Sequence, residues 1–319
     1  MKCSMCNRKA EVKLRYARLS LCKEHLLSYI QGRVKKAIER YDMLRDGKNV
    51  VLGISGGKDS MTLIDVILTL KDDLDLNVLP VHIDLGLNEY SKTSRFIVED
   101  YLNSKRLKYL IVPLTELLGL NITELSKRAN RKPCSVCGTV KRYILNLVAV
   151  KLNFNSVMTG HTLDDMVGYT LKSLIQGDID SMVKLKPKTE SLNGLISRVK
   201  PLCEISEDET KLYVHFKNIP YINIECPHKP SSSLEIEGKK FLNELEDKHP
   251  SIKLSFYRKM LKIMKYFETT HDVKPLRTCE NCGLPSSSNL CSFCKLIVKA
   301  LGTGEPVMRI HDYVMRFKG

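Results

Sequence analysis

Residues Asn49 to Ser60 read NVVLGISGGKDS. The first six, to Ile54, are β-branched and apolar enough for a short buried strand, and Ser60 to Leu70 has the spacing of an amphipathic helix. Between them Gly53 to Ser60 makes a glycine-rich turn, so that backbone N–H groups and a helix N-terminus converge and can cradle an anion. Lys58 adds a mobile positive charge. The turn is not a Walker A loop. With GxxxxGK[ST] aligned on Gly57 and Lys58, Leu52 stands where the first glycine belongs and Asp59 replaces the hydroxyl residue. A carboxylate beside bound phosphates is tolerable chiefly when Mg2+ bridges the two, which is the role expected of Asp59.

Beyond this turn strands and helices alternate. Val78 to Asp84 reads as a strand, Glu89 to Lys105 as a helix, Leu107 to Leu114 as a strand, and Ser156 to Gly160 as a strand ahead of a helix from Asp164. Such alternation implies a parallel sheet covered by helices, with ligand loops at the carboxyl ends of the strands near the point where strand order reverses. Those ends carry His82 and Asp84 on one strand and Gly160 and His161 on another. Gly160 closes a strand where backbone must approach a ligand, whereas a lone His82 also reads as a satisfied core histidine. Asp164 and Asp165 open a helix, where a carboxylate serves as a cap, and capping is the leading role for Asp164. Further on, Lys184 to Gly194 is polar and reads as a loop, Pro227 to Ser233 as punctuation, and Leu234 to Glu268 as charged helices.

Eleven cysteines fall mostly in short-spaced groups, a pattern of metal binding more than of disulfides in a long chain without a signal-peptide run at Met1 to Lys13. Cys3, Cys6, Cys22 and His25 have the composition of one zinc module, and Cys279, Cys282, Cys291 and Cys294 that of a four-thiolate site. Cys134 and Cys137 follow Pro133 at a helix start, where a spacing of three puts both thiols on one face, with Lys141 one turn on. Cys226 lies far downstream in ECPH. Three thiolates with no obvious fourth suit a [4Fe-4S] cluster with one iron open to an outside ligand, while His228 could instead complete a third zinc site. Cys203 reads as buried packing.

The formal charge is +15, and thiolate formation at the metal sites would leave roughly +11. Basic clusters at Arg33, Lys35, Lys36 and Arg40, at Lys127, Arg128, Arg131 and Lys132, and at Lys184, Lys186 and Lys188 suit a phosphate backbone, although a solvated helix face explains any single cluster equally well. No stretch approaches the roughly 20 apolar residues of a membrane helix. A cytoplasmic protein without a membrane partner is therefore expected.

The N-terminal CxxC/CxxH, SGGKDS, PCSVCG with Lys141 and Arg142, GHTLDD, ECPH and the terminal CxxC pair, in this order and over nearly the whole chain, resemble the tRNA 2-thiouridine synthetases of the PP-loop ATP pyrophosphatases. One departure is Met166, Val167 and Gly168 after Asp165, where a more acidic or alanine-rich run is the pattern. The resemblance implies an α/β domain with a five-stranded parallel sheet and helices on both faces. Residues 1–30 would form an N-terminal zinc finger, 31–270 the catalytic domain and 271–319 a C-terminal zinc finger. It further implies that Ser55, Gly56, Gly57, Lys58, Asp59 and Ser60 hold ATP with His82, Asp84, Gly160 and His161 near the adenosine. Lys58, Asp59, Lys141 and Asp165 would be catalytic, and Cys134, Cys137 and Cys226 would hold the cluster.

The implied reaction is adenylation of a tRNA uridine at O2, with loss of pyrophosphate, then displacement of AMP by sulfur. The implied cofactors are ATP, Mg2+, the cluster and two Zn2+. The partners would be tRNA and a sulfur donor, which could be free sulfide, a persulfide or a ubiquitin-like thiocarboxylate; a homodimer is allowed for. The competing readings are a PP-loop ligase or amidotransferase with a nitrogen nucleophile, a tRNA 2-thiocytidine synthetase, and a non-catalytic zinc-ribbon RNA adaptor.

Overall fold

The computed structural model describes residues 1–191, 194–268 and 276–317. At the N-terminus β1 (Val12–Leu14) and β2 (Leu19–Leu21) form an antiparallel ribbon from which α1 (Lys23–Arg40) leads to the core. Next come β3 (Asn49–Gly53), α2 (Lys58–Leu70), β4 (Asn77–Asp84), α3 (Asn88–Ser104) and β5 (Leu110–Pro113). They are followed by α4 (Leu114–Leu118), α5 (Ile122–Ala129), α6 (Pro133–Lys151), β6 (Ser156–Thr159), α7 (Leu163–Gln176) and α8 (Ile179–Val183). Then β7 (Lys188–Thr189) and β8 (Ser197–Val199) lead to α9 (Glu207–Lys217), α10 (Leu234–Lys248) and α11 (Ile252–Glu268). The chain closes with β9 (Arg277–Thr278), β10 (Pro285–Ser286), α12 (Ser292–Leu301) and α13 (Pro306–Arg316). The expected domain boundary at 270 lies outside the described residues.

The main sheet has six strands, not five, in the order β5-β4-β3-β6-β8-β7. All neighbours are parallel except the pair β7 and β8. The stretch Lys184 to Gly194, expected to be loop, thus contributes an edge strand at Lys188–Thr189. Two and three residues are too few for a period of two to register. From β3 the chain runs outward through β4 to β5, then returns to place β6 on the other side of β3, so the strand order reverses at β3 and opens a crevice there.

Alternation along β3 splits the core: Val50 and Leu52 face one apolar cluster, built with α1, α2 and α7, while Val51 faces a second, built with α6, α12 and α13. The outer cysteine groups belong to these same cores. Cys3 and Cys22 are buried in the first, and Cys279, Cys282 and Cys294 in the second, where Phe293 stacks on Tyr143 of α6 at 4.0 Å. No helix among the described residues is long and apolar enough to cross a membrane.

One basic cluster proves to be internal wiring. Arg33 meets Glu209 at 2.5 Å, Lys35 meets Asp73 at 2.5 Å, and Arg40 meets Glu204 at 2.8 Å. Lys188 is buried and reaches Asp46 at 3.1 Å. The sequence shows these cations but not their distant carboxylates: Arg33 and Arg40 pair with buried glutamates and Lys188 is itself buried, so for these three the reading as free surface for a polyanion is corrected.

Glu204 also accepts from Tyr41 at 2.6 Å and pairs with Arg258 at 2.6 Å. Burial alone would raise its pKa; the hydrogen bonds from Arg258 and Tyr41 and the charges of Arg258 and Arg40 overcome this and pull it down to about 2, from an ordinary 4.5. A depressed carboxylate stabilises the fold fully above its unfolded pKa and loses that contribution as pH falls through the folded one. Chemical denaturation from pH 6 to pH 2 should therefore show stability falling below about pH 4.5, and Glu204→Gln should start less stable with a shallower fall over that window.

Candidate active site

Helix α2 begins at Lys58 with Gly57 as its N-cap, so Lys58, Asp59 and Ser60 occupy its first turn. The loop is braced internally: Ser60 Oγ accepts from the Ser55 N–H at 3.1 Å and donates to the Gly57 carbonyl at 2.9 Å. Gly56 has φ +82°, and a methyl there would meet Ser94 at 3.1 Å. Gly160 is needed for a reason other than the expected one. Its missing Cβ would lie 3.0 Å from the Ser60 nitrogen and 3.1 Å from the Asp59 carbonyl, so what approaches it is the loop itself.

A cavity of about 500 Å3 opens at the carboxyl ends of β3, β4 and β6. From the loop it takes Ser55, Gly57, Asp59 and Ser60, from the other strand ends His82, Gly160 and His161, and from the helices Lys141, Asp165 and Cys134. Gly56, Lys58, Asp84, Cys137 and Cys226 do not line it. The Asp84 carboxylate instead accepts from the Gly86 N–H at 3.0 Å and faces Arg95 at 3.7 Å, which makes it a turn former. His82 is 2% exposed; its Nδ1 lies 2.9 Å from the Ile54 carbonyl, so the proton sits there and Nε2 is left as a buried acceptor without a partner. Burial holds both His82 and His161 below the usual imidazole pKa, and both are neutral.

Ionised groups of alternating sign link the loop to Asp165. Lys58 Nζ is 2.9 Å from both Asp59 oxygens and 3.3 Å from Glu207, and Lys239 Nζ is 3.0 Å from Glu207 and 2.5 Å from Asp165. Thr210 donates to Asp59 at 2.5 Å. Burial raises the Asp59 pKa against the pull of Lys58. For Asp165 burial is opposed first by the charge and hydrogen bond of Lys239 and also by the Thr162 N–H, which win and hold it below the usual carboxylate value. The cap assignments are the reverse of those expected. Asp165 caps its own helix, accepting from the Thr162 N–H at 2.9 Å, whereas buried Asp164 accepts from the Glu207 N–H at 2.8 Å and pairs with Lys253 at 2.8 Å.

Glu207 and Lys239 are the polar residues that sequence reasoning missed. A glycine inside a helical pattern was the available signal: Gly238 packs on the Gly168 carbonyl, and a methyl on Gly168 would meet Lys239 Cγ at 2.8 Å. The unexpected glycine after Asp165 is thus where α10 crosses α7 closely enough to deliver Lys239.

The cysteines sort by distance. Zinc–ligand bonds of about 2.3 Å to sulfur and about 2.0 Å to nitrogen put tetrahedral sulfurs about 3.8 Å apart and sulfur and nitrogen about 3.6 Å apart. Cys6 and Cys22 sulfurs are 3.9 Å apart, His25 Nδ1 lies 3.4 Å from Cys3 and 3.3 Å from Cys22, and Cys282 and Cys291 sulfurs are 3.8 Å apart. Among the described residues these two quartets alone bring every ligand atom within 4.8 Å of the others. Cys134, Cys137 and Cys226 are more widely set, yet close enough that, after burial, the charges of Cys226 and Cys137 push the Cys134 thiol up. The His228 ring is engaged by Thr123 at 2.7 Å and its carbonyl accepts from Cys134 at 3.3 Å, so no fourth ligand closes around a single ion.

A PP-loop domain model matches residues 26–229, and the N-terminal LIM domain model of 2-thiouridine synthetase TtuA matches residues 2–27. The chain is 36% identical to the tRNA-5-methyluridine(54) 2-sulfurtransferase of Pyrococcus horikoshii, over 92% of this chain and 93% of that protein. It is 30% identical to cytoplasmic tRNA 2-thiolation protein 1 of Xenopus laevis, over 97% and 91%. Among solved structures it is similar to the U34-tRNA thiolase NcsA of Methanococcus maripaludis with its [4Fe-4S] cluster, at TM-score 0.80 and 26% identity, covering 95% of this chain and 97% of that one.

If Lys239 holds Asp165 ionised, Lys239→Met should cut turnover by roughly tenfold to a hundredfold with little change in the KM for ATP. With the cation gone, burial raises the Asp165 pKa, so the acid limb of the rate profile should move to higher pH.

Proposed function

The chain belongs to the PP-loop tRNA 2-thiolation sulfurtransferases, and from that membership we propose that it adenylates a tRNA uridine at O2 with ATP and then replaces that oxygen with sulfur. The observation that carries the reading is the cavity itself, which joins the anion loop at Ser55 to Ser60, the cation Lys141 and the thiol Cys134 within one space. A nitrogen-transferring ligase has no use for that thiol, and an adaptor has no use for the braced loop.

The loop amides and the first turn of α2 would receive the triphosphate, with Lys58 leaving Glu207 for the phosphates as they arrive. Asp59 is the carboxylate placed to hold Mg2+ beside them. Neutral His82, through its open acceptor, would take a donor group of the nucleoside. Lys141, which meets no carboxylate within ion-pair distance among the described residues, would neutralise the α-phosphate. Asp165 would take the N3 proton of the uridine as O2 attacks the α-phosphorus; the bond from that phosphorus to the bridging oxygen breaks and pyrophosphate departs. Hydrosulfide then bonds to C2, the C2–O bond breaks, its electron pair leaves with AMP, and the proton on sulfur passes to N3. The soft three-thiol set fits a [4Fe-4S] cluster held by Cys134, Cys137 and Cys226, which when bound would supply an open iron as a carrier for sulfur. The outer quartets fit zinc and would fix the two ends of the chain on the cores they share with the sheet.

Exposed Lys127, Arg128, Arg131 and Lys132 lead into the start of α6 beside Cys134 and form the basic approach for tRNA. Of the two target positions, we favour uridine 54, because relatives named for it are 35–37% identical to this chain while the U34 thiolase is 26% identical at similar coverage. The assay is nucleoside mass spectrometry of unmodified tRNA incubated with protein, ATP and sulfide. A 2-thio mark at 54, dependent on ATP and accompanied by AMP, is expected; AMP without any thionucleoside would remove the sulfur step.

Cys226→Ala should lose iron and all thiolation while ATP binding, measured calorimetrically, persists. Normal thiolation in that variant would remove the triad from the reaction.

A further inference from the structure

The partly buried cations of this chain fall into two kinds. Arg33, Arg40 and Arg258 each meet a carboxylate within 3 Å. Arg142 on α6 and Arg198 on β8 meet none within 4 Å among the described residues, and neither guanidinium has a hydrogen-bond partner there. They are neighbours nonetheless: Arg198 registers with Val157 of β6, which packs in the core shared with α6, and burial first, then the charge of Arg142, lowers the pKa of Arg198, while burial and, more weakly, the charge of Arg131 lower that of Arg142 against the opposing pull of Tyr169 and Cys137. Folding therefore gathers like charges from α6, the turn before it and β8 with no carboxylate at ion-pair distance among the described residues. Charges gathered and partly desolvated in this way cost free energy unless an anion joins them.

One member of this group reaches the catalytic cavity. Arg142 lines it, one residue after Lys141, and remains exposed on its outer side. Gly138 makes this possible: a methyl there would meet Arg142 Nη1 at 3.0 Å, so the missing side chain lets the guanidinium fold back along α6 toward Cys134. Arg198 belongs to the strand pair that the sequence did not announce, and its Cα registers with Val157 of β6. The triphosphate already has its receptor in the loop after β3, so a second anion site is left for the other polyanionic substrate.

We propose that Arg142 and Arg198 form a phosphodiester-binding site that grips the RNA backbone beside the nucleotide inserted in the cavity, with Arg131 continuing the track outward. This rests on the tRNA reading above and names the contact that aims the target base. Guanidinium forks match phosphate oxygens in pairs, and each such contact releases a counterion when RNA binds.

The test uses the whole metal-loaded protein, unmodified tRNA, and Arg142→Met, Arg198→Met and the double variant. Each single variant should raise the Kd for tRNA by roughly tenfold, the scale of one charge-assisted hydrogen bond. Each should also lower the slope of log affinity against log salt by about 1, while ATP affinity is unchanged. Because the substitution removes repulsion and no ion pair, the melting temperature of Arg198→Met should equal or exceed that of the parent protein. Unchanged tRNA affinity, a loss of ATP affinity in place of tRNA affinity, or a lowered melting temperature would each overturn the site. If the parent protein itself binds no tRNA, the substrate reading falls and this inference falls with it.

Discussion

The close approach of Gly160 to the backbone of Asp59 and Ser60 is the constraint on which the site depends. Two parallel strands, β3 and β6, end side by side, so the loops that leave them crowd one another. A side chain at residue 160 would press on backbone atoms at 3.0 to 3.1 Å and force those loops apart. With only hydrogen there, the end of β6 seats directly on the first turn of α2. The next residues, His161, Thr162 and Asp165, then stand at a fixed offset from the anion loop. The capping box of α7 carries this offset into a helix: Thr162 and Asp165 bond to each other's backbone, and the carboxylate that caps is the one that borders the cavity. One oxygen of Asp165 is thereby committed to structure and the other to Lys239, so its direction is set before any substrate arrives.

Net charge says little until the paired cations are set aside. Arg33 and Arg40 of α1, Lys239 of α10 and Arg258 of α11 are engaged by Glu209, Glu204 and Glu207, in contacts short enough to hold helices together. Surface pairs of this kind are worth little, but those around Glu204 and Glu209 are desolvated, and removing one partner would strand a buried charge. Among the cations without a carboxylate at ion-pair distance in the described residues, Lys141 and Arg142 line the cavity that also contains a thiol, and Arg131 and Lys132 stand at the start of the same helix.

The parts of this molecule legible in the sequence were those whose partners are close in the chain or whose chemistry admits few readings. The anion loop, the strands before and after it and the two quartets are local patterns, and their geometry follows from spacing. Asp164 and Asp165 were misassigned because which of two adjacent carboxylates caps a helix depends on what sits opposite. Asp164 meets the N-terminus of α9 some forty residues away, a contact no local pattern reveals. Lys239 and Glu207 were missed for the same reason: each is an ordinary charged residue on a charged helix until α10 is laid across Gly168. The strands β7 and β8 are shorter than any periodicity, and β8 exists because β6 offers it an unpaired edge.

The triad and the quartets show how far donor distance alone can discriminate. Ligand atoms that must share one small ion have to converge, and two quartets among the described residues bring theirs within 4.8 Å, each with a ligand at the N-cap of a helix, Cys22 on α1 and Cys291 on α12. The third set uses a helix start too, but Cys134 is exposed and its companions are spread around it. Widely set soft donors with His228 turned to Thr123 fit a larger inorganic body better than a single ion. The helix that starts with Cys134 and Cys137 also carries Lys141 two turns beyond Cys134, so whatever those thiols hold is fixed relative to a cation that lines the cavity. Displacement of an adenylate by sulfur needs the nucleophile and the activated carbon to meet without a diffusing intermediate, and one rigid helix spanning both stations meets that need more simply than two mobile loops could.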